Sequence, residues 1–347
     1  MKLKDLAKRL YRRYLLDAMS AMALGLFSSL IIGLIISQIS AIPGLAFLAP
    51  FGNIVSASSP VVGAAIGVAI AYGLKVAPLA MFSSAATGAL GYQLGGPVGS
   101  YFAAVVGAEL GNLAAGKTKV DIIVVPVVTI VTGCLVGTWL APGINAAVRA
   151  LQGFLEMATT LQPIPMGVIG SVVFGLALTA PISSAALAAM IFTVAEGEVM
   201  GEGLLLAAGA ATVGCCCQMV GFAVSSYREN GVAGLIAQGL GTSMLQVGNI
   251  MAHPAILVPP TLASAIIGPL STTILPMKNI SASAGMGTSG LVGQFGTWAA
   301  MSGEGAALVL IKMQVLHIVL PAVLSLLISE FMRKRGWIKS GDMALKL

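Results

Sequence analysis

Eight long stretches of this chain contain no Asp, Glu, Lys or Arg: 18–74, 76–108, 122–148, 157–195, 203–227, 230–277, 279–303 and 313–329. A helix crossing a bilayer needs roughly 20 apolar residues. Several of these runs are too long for one such helix and must hold two, or a helix and a re-entrant segment. Only 9% of all residues are charged, against about 25% in a typical soluble domain. A soluble fold built from this chain would lack polar surface, so the lipid bilayer is its solvent. The 43 glycines agree with this, because small residues let membrane helices approach closely. The expected class is all-α, a polytopic membrane protein.

Pro and Gly divide the runs. Spans are expected at about 19–41, 53–74, 76–94, 97–115, 121–141, 164–195, 203–224, 231–251, 254–277 and 305–330. The breaks fall at Pro43-Gly44, Lys75, Gly95-Gly96-Pro97, Gly116 and Pro142-Gly143. Pro181 marks a broken helix within 164–195. Residues 144–162, with Arg149 and Glu156, read as interfacial, and the Gly- and Ser-rich stretch 280–303 as a re-entrant hairpin. Three regions follow: an amphipathic N-terminal helix at 1–17, a transmembrane body at 18–331 and a basic tail at 332–347.

The net charge of +6 sits mostly at the ends. Lys2, Lys4, Lys8, Arg9, Arg12 and Arg13 open the chain; Arg333, Lys334, Arg335, Lys339 and Lys346 close it. Basic ends beside apolar spans read as cytoplasmic, and as membrane flanks rather than a nucleic-acid surface. With both termini inside, Lys75, Lys117 and Lys119 also fall inside, as do Glu196, Glu198 and Glu202, while Lys278 falls outside. Acidic residues contribute little to orientation.

Several chemistries are excluded. No GxxxxGK[ST] loop is present, so no P-loop hydrolyses ATP. Cys134 stands alone, and Cys215, Cys216 and Cys217 are consecutive. Three adjacent residues on a helix point about 100° apart and no CxxC pair exists, so no metal or other cofactor is expected. The Gly285, Gly287, Gly290 match to GxGxxG lacks a preceding strand and is no nucleotide fingerprint. A secondary transporter, a channel or the membrane subunit of a larger system remains.

Ionisable groups deep in a membrane are costly and are functional candidates. Glu109, His253, Glu304, Lys312 and His317 are those groups here. Polar residues at Pro-broken segments form the second signal: Asn53 near Pro60, Thr179 and Ser183 around Pro181, and Gln246 and Asn249 before His253-Pro254. Discontinuous helices of this kind build midplane sites in carriers. Asn279 and Gln294, bracketing the Gly/Ser stretch, offer amides suited to a polyhydroxylated solute.

Three segments carry a family resemblance. They are Lys117-Thr118-Lys119-Val120-Asp121 to Pro126 with Val131-Thr132-Gly133, Gly175 to Ser183, and Asn249-Ile250-Met251-Ala252-His253-Pro254 leading to Pro259-Pro260. With these, the chain resembles the EIIC membrane components of bacterial phosphotransferase-system sugar transporters, in particular the stand-alone branch that includes perfringolysin regulator-like proteins. The resemblance implies an elevator-type EIIC-like carrier of a sugar or polyol in the bacterial inner membrane. It also implies a homodimer, and separate IIA and IIB partners for any phosphoryl transfer. A Glu and a His at the sugar site are typical of the well-studied branch. Here His253 precedes Pro254, but Ala180 precedes Pro181. His253 and Glu304 are therefore the expected catalytic pair, with Glu109 as a second acidic candidate. Asn249, Gln246, Asn53, Thr179, Ser183, Asn279, Gln294 and Lys312 complete the expected binding set. A ligand-sensing regulator and a channel are the rival readings.

Overall fold

The computed structural model describes residue 5 and residues 9–56, 59–180, 183–194 and 198–345. Lys2, Lys4, Lys8, Ser58, Pro181, Glu196 and Lys346 lie outside the described residues. All regular structure among the described residues is helical. Among the described residues, five helices are long and apolar enough to cross a membrane. These are α1 (Tyr11–Ser40), α4 (Asp121–Leu161), α7 (Glu202–Ser225), α10 (Pro254–Thr272) and α12 (Ala306–Lys334). Between them come α2 (Pro60–Gly73), α3 (Pro78–Ala114), α5 (Pro163–Thr179), α6 (Ser184–Phe192), α8 (Tyr227–Ile236), α9 (Val247–Ala252) and α11 (Val292–Met301).

The chain forms two compact units, one of residues 1–151 and 189–199, the other of 152–188 and 200–347. In the first, α2 packs along α3 and against α1. Helix α3 covers two expected spans and bends between them where expected. Gly96 there has φ +59°, a conformation only glycine adopts without strain.

Two expected divisions change. The break at Pro142-Gly143 does not occur: α4 runs 41 residues through Pro126 and Pro142. A proline inside a membrane helix removes one backbone hydrogen bond, a loss that such helices tolerate when the freed groups are satisfied nearby. Residues 144–161 therefore continue α4, and the stretch 144–162 does not form an element of its own. The expected span 231–251 is not one helix either. Gly231 takes φ +58°, α8 ends in a π turn at 237–241, and Thr242 is extended before a 3-10 turn and α9. The glycines and Thr242 break the run that hydropathy alone had joined. Helix α1 passes through residue 17 without interruption.

The second unit is built around α7. Its buried residues occupy every face, and most are small: Gly203, Ala207, Gly209, Ala211, Gly214, Cys215, Cys216, Cys217 and Gly221 among them. Helices α5, α10 and α12 pack on it. A Cβ added at Gly214 would lie 1.8 Å from the Ser171 carbonyl oxygen, and one at Gly209 1.8 Å from that of Met277. Small residues thus set the helix spacing directly, as in membrane bundles generally. The start of α7 is capped from α4: the Glu156 carboxylate accepts from the backbone N–H groups of Gly203 and Leu204, at 3.0 and 2.6 Å. A carboxylate suits the positive end of a helix.

The stretch 279–288 is buried yet not helical. Ser184 Oγ donates to the Gly285 carbonyl at 2.6 Å, and Thr212 Oγ1 donates to that of Ala284 at 3.2 Å. Gly287 lies against Cys215 and Cys216, which explains why small thiols stand there. The expected hairpin is in fact this coil followed by helix α11.

Gly214→Val is expected to cost roughly 1–3 kcal/mol, the range for overpacking, and more if α5 cannot shift. Thermal unfolding in detergent should register it as a clear drop in midpoint. Gly143→Ala, where a Cβ meets nothing within 4 Å, should leave the midpoint unchanged.

Candidate functional site

Helix α10 fixes the geography of the second unit. At its C-terminal end lie the starts of α5, α7 and α12: Thr272 Oγ1 donates to the Pro163 carbonyl, and the Asn279 N–H to that of Leu205. At its N-terminal end lie α9 and the chain's tail. His253 stands just before α10 and Glu304 just before α12. The two expected catalytic residues are thus at opposite ends of a helix roughly 28 Å long, at 1.5 Å per residue, and are not brought together in this conformation.

At the His253 end, the expected residues hold the tail. Gln246 Nε2 donates to Gln238 Oε1 at 2.9 Å and to the Met343 carbonyl at 3.0 Å. Asn249 Nδ2 donates to Gln246 Oε1 at 2.8 Å and to the Ala344 carbonyl at 3.0 Å. Asn230 adds two bonds, to the Met343 carbonyl and from the Leu345 N–H. His253 Nδ1 lies 3.6 Å from Asp342 Oδ1 and is half exposed. Below this polar clamp, Ile338 and Met343 are buried with Phe222, Ile256 and Met332. Arg333 pairs with Glu229 at 2.8 Å and donates to the Ser225 carbonyl.

Further inside the unit lie neutral groups. Thr179 meets Ser243 at 2.9 Å and Gln218 at 3.2 Å, and Gln218 Nε2 donates to Thr261 Oγ1 at 3.1 Å. This network joins α5, α7 and α10. Ser183 accepts from the Ala186 N–H and caps α6. Asn279 ties down the coil: it donates to Thr212 Oγ1 and the Gly293 carbonyl and accepts from Ser283 Oγ. Gln294 contacts His317.

The other end is ionic. Lys312, 10% exposed at its side chain, donates to Glu304 at 3.0 Å and to the Pro276 carbonyl. Lys278 bridges Glu202 at 2.9 Å and Glu304 at 3.4 Å. The hydrogen bond with Glu202, aided by the charges of Glu202 and Glu304, raises the Lys278 ammonium above its ordinary pKa despite burial. Burial pushes the Glu304 carboxyl up, but the hydrogen bond from Lys312 and the charges of Lys312 and Lys278 outweigh it, so it lies below its ordinary value. In the first unit, Glu109 pairs with Arg13 at 2.5 Å, and Asn53 is exposed.

Gln218, Thr261, Ser243, Gln238 and Asp342 belong to these networks but were not among the expected residues. Gln218 carried a usable signal, an amide in a long apolar run; the others carried none beyond polarity. Among the described residues no three His, Cys, Asp or Glu side chains gather as a metal site.

Glu304→Gln should destabilise the protein by about 1–2 kcal/mol. That is less than the range for a fully buried pair, because Glu304 is one-third exposed. Glu304→Gln with Lys312→Met should recover most of the loss. The pH dependence has a definite sign. The Glu304 contribution is complete above about pH 4.3, its ordinary value, and is lost as pH falls through its lowered folded value. The Lys278 contribution is complete below about pH 10.4 and is lost as pH rises through its raised one. Unfolding midpoints of the wild type and a Glu304→Gln/Lys278→Met variant should therefore differ most between those limits.

A family model described as "Phosphotransferase system, EIIC" matches residues 16–345. No curated protein and no solved structure matches the chain. The match takes in every helix named above apart from the first turn and a half of α1, so the chain belongs to the EIIC family of phosphotransferase-system membrane components.

Proposed function

We propose that this chain is the membrane component that carries a sugar or sugar-like polyol across the bacterial inner membrane. Separate IIA and IIB proteins supply the phosphoryl group. One observation carries the reading beyond family membership: a Ser- and Gly-rich coil opening on Asn279 is buried in an otherwise apolar helical unit, against the uncharged side chain of Thr212. Irregular backbone at such depth is tolerated where protein or a solute path satisfies it. Neutral amides and hydroxyls match the hydroxyls of a sugar.

The basic cluster Arg333, Lys334 and Arg335 supports a cytoplasmic position for the tail end of the second unit, by the positive-inside rule. His253 lies at that end, where a phosphorylated IIB protein has access, and is assigned to the phosphoryl-transfer step as the group that takes the sugar hydroxyl's proton. Glu304, with Lys278 and Lys312, is assigned to the opposite mouth. About ten crossings, both termini cytoplasmic, an elevator-like movement of the second unit and a homodimer complete the proposal. A ligand-sensing regulator is the second reading. It is favoured by the tail's clamp, since Gln246 and Asn249 cannot serve a ligand while they bind the Met343 and Ala344 carbonyls.

Counterflow of labelled hexoses and hexitols in proteoliposomes tests the carrier reading; exchange is expected. In vesicles supplied with phosphoenolpyruvate and the cell's own IIA and IIB proteins, His253→Ala should lower sugar phosphorylation roughly 10²-fold or more. Unchanged phosphorylation would remove His253 from that role. Absence of exchange, with ligand-dependent proteolysis of the tail, would favour the regulator.

A further inference from the structure

Where α7, α11 and α12 meet, three polar atoms are buried without a hydrogen-bond partner: Gln294 Oε1, His317 Nε2 and Thr297 Oγ1. His317 and Thr297 are fully enclosed. Gln294 Nε2 lies 3.1 Å from His317 Nδ1 and 3.7 Å from Cys216 Sγ. Thr297 follows Gln294 by three residues on α11, so the two side chains are neighbours on one helix surface. His317 sits in a π turn, Gln314–Val319, within α12. Such turns are frequent at functional sites. Buried polar groups are nearly always paired, and leaving one unpaired costs free energy. Three in one cluster indicate a partner of matching chemistry.

The cluster defines that chemistry. No carboxylate pairs with His317 among the described residues, and an unpaired charge is poorly tolerated in apolar surroundings, so the imidazole is neutral. If Gln294 donates to Nδ1, then His317 Nε2 carries a hydrogen and Gln294 Oε1 is a free acceptor. If the amide is turned over and Nδ1 donates, the roles exchange. Either way the pair offers one donor and one acceptor, and the Thr297 hydroxyl can serve as both. An anion would face the free acceptor and a cation the free donor. Neighbouring hydroxyls, each able to give and accept, satisfy the set.

We propose that Gln294, Thr297 and His317 form a charge-neutral subsite that receives adjacent hydroxyls of the carried solute. This rests on the reading of the protein as a sugar or polyol carrier. The test uses counterflow in proteoliposomes with D-glucose, D-galactose, D-mannitol and D-sorbitol, and competition by monodeoxy analogues of whichever is exchanged. One analogue should compete about tenfold or more weakly in the wild type. Thr297→Val or His317→Leu should weaken the parent solute similarly, and the same analogue should then lose little more. His317→Gln, which restores a donor and an acceptor, should recover part of the affinity. Folding of each variant is checked by its unfolding midpoint, and Thr297→Val preserves shape should His317→Leu fail to fold. Folded variants that compete like the wild type with every analogue would overturn the subsite while the carrier reading stands; the cluster would then hold only water. Failure of the wild type to exchange any of the four solutes would overturn both.

Discussion

Backbone-to-backbone contact along α7 is the constraint on which the second unit depends. Lipid offers no hydrophobic drive for helices to associate, so packing quality decides which arrangement forms. Gly209 and Gly214 place α7 against the Met277 and Ser171 carbonyls at distances that leave no room for a side chain. Those contacts in turn position α5 and the coil after α10. The three consecutive cysteines belong to the same logic: Cys215 and Cys216 leave room for Gly287 to descend between helices. Once the coil is seated there, Asn279 can reach Thr212 and Gln294 can reach His317.

The polar groups sort by depth and charge. Ionic groups gather at the two ends of the unit, around Glu304, which is one-third exposed, and around Arg333, which is paired with Glu229 and nearly buried. Between them the networks are amides, hydroxyls and one imidazole. This is the arrangement expected where charge burial is expensive and neutral hydrogen bonding is not. On the proposed function, it would separate the groups that meet a charged partner from those that meet an uncharged solute.

Much of this was legible in the chain alone. Runs free of charge marked the helices α1, α7, α10 and α12, and Gly95-Gly96 marked the bend in α3. Hydropathy misled where an apolar run hides a break, as at 231–251, or where a proline does not make one, as at Pro142. Both depend on whether freed backbone groups find partners, which is a tertiary matter. The candidate residues were recognised as unusual, but their partners were not foreseeable. Gln246 and Asn249 bind the tail some 95 residues away, and Glu304 and His253 are kept apart by the length of α10. Residue type can flag a polar group in an apolar setting, but only packing decides what it faces.

Helix α4 carries a consequence of its own. At 1.5 Å per residue its 41 residues extend about 60 Å, while a bilayer's hydrocarbon core is about 30 Å thick. To lie wholly within that core it would need to lean about 60° from the membrane normal, beyond the 0–40° usual for such helices. Mismatch of this size is relieved by a bend, for which Pro126 and Pro142 are the sites, or by one half leaving the acyl chains. The half with Arg149, Gln152 and Glu156 is the one suited to leave. Its apolar side chains, Phe154, Met157 and Leu161, would then rest among lipid headgroups, where headgroup composition acts on the same turn of helix whose Glu156 caps α7.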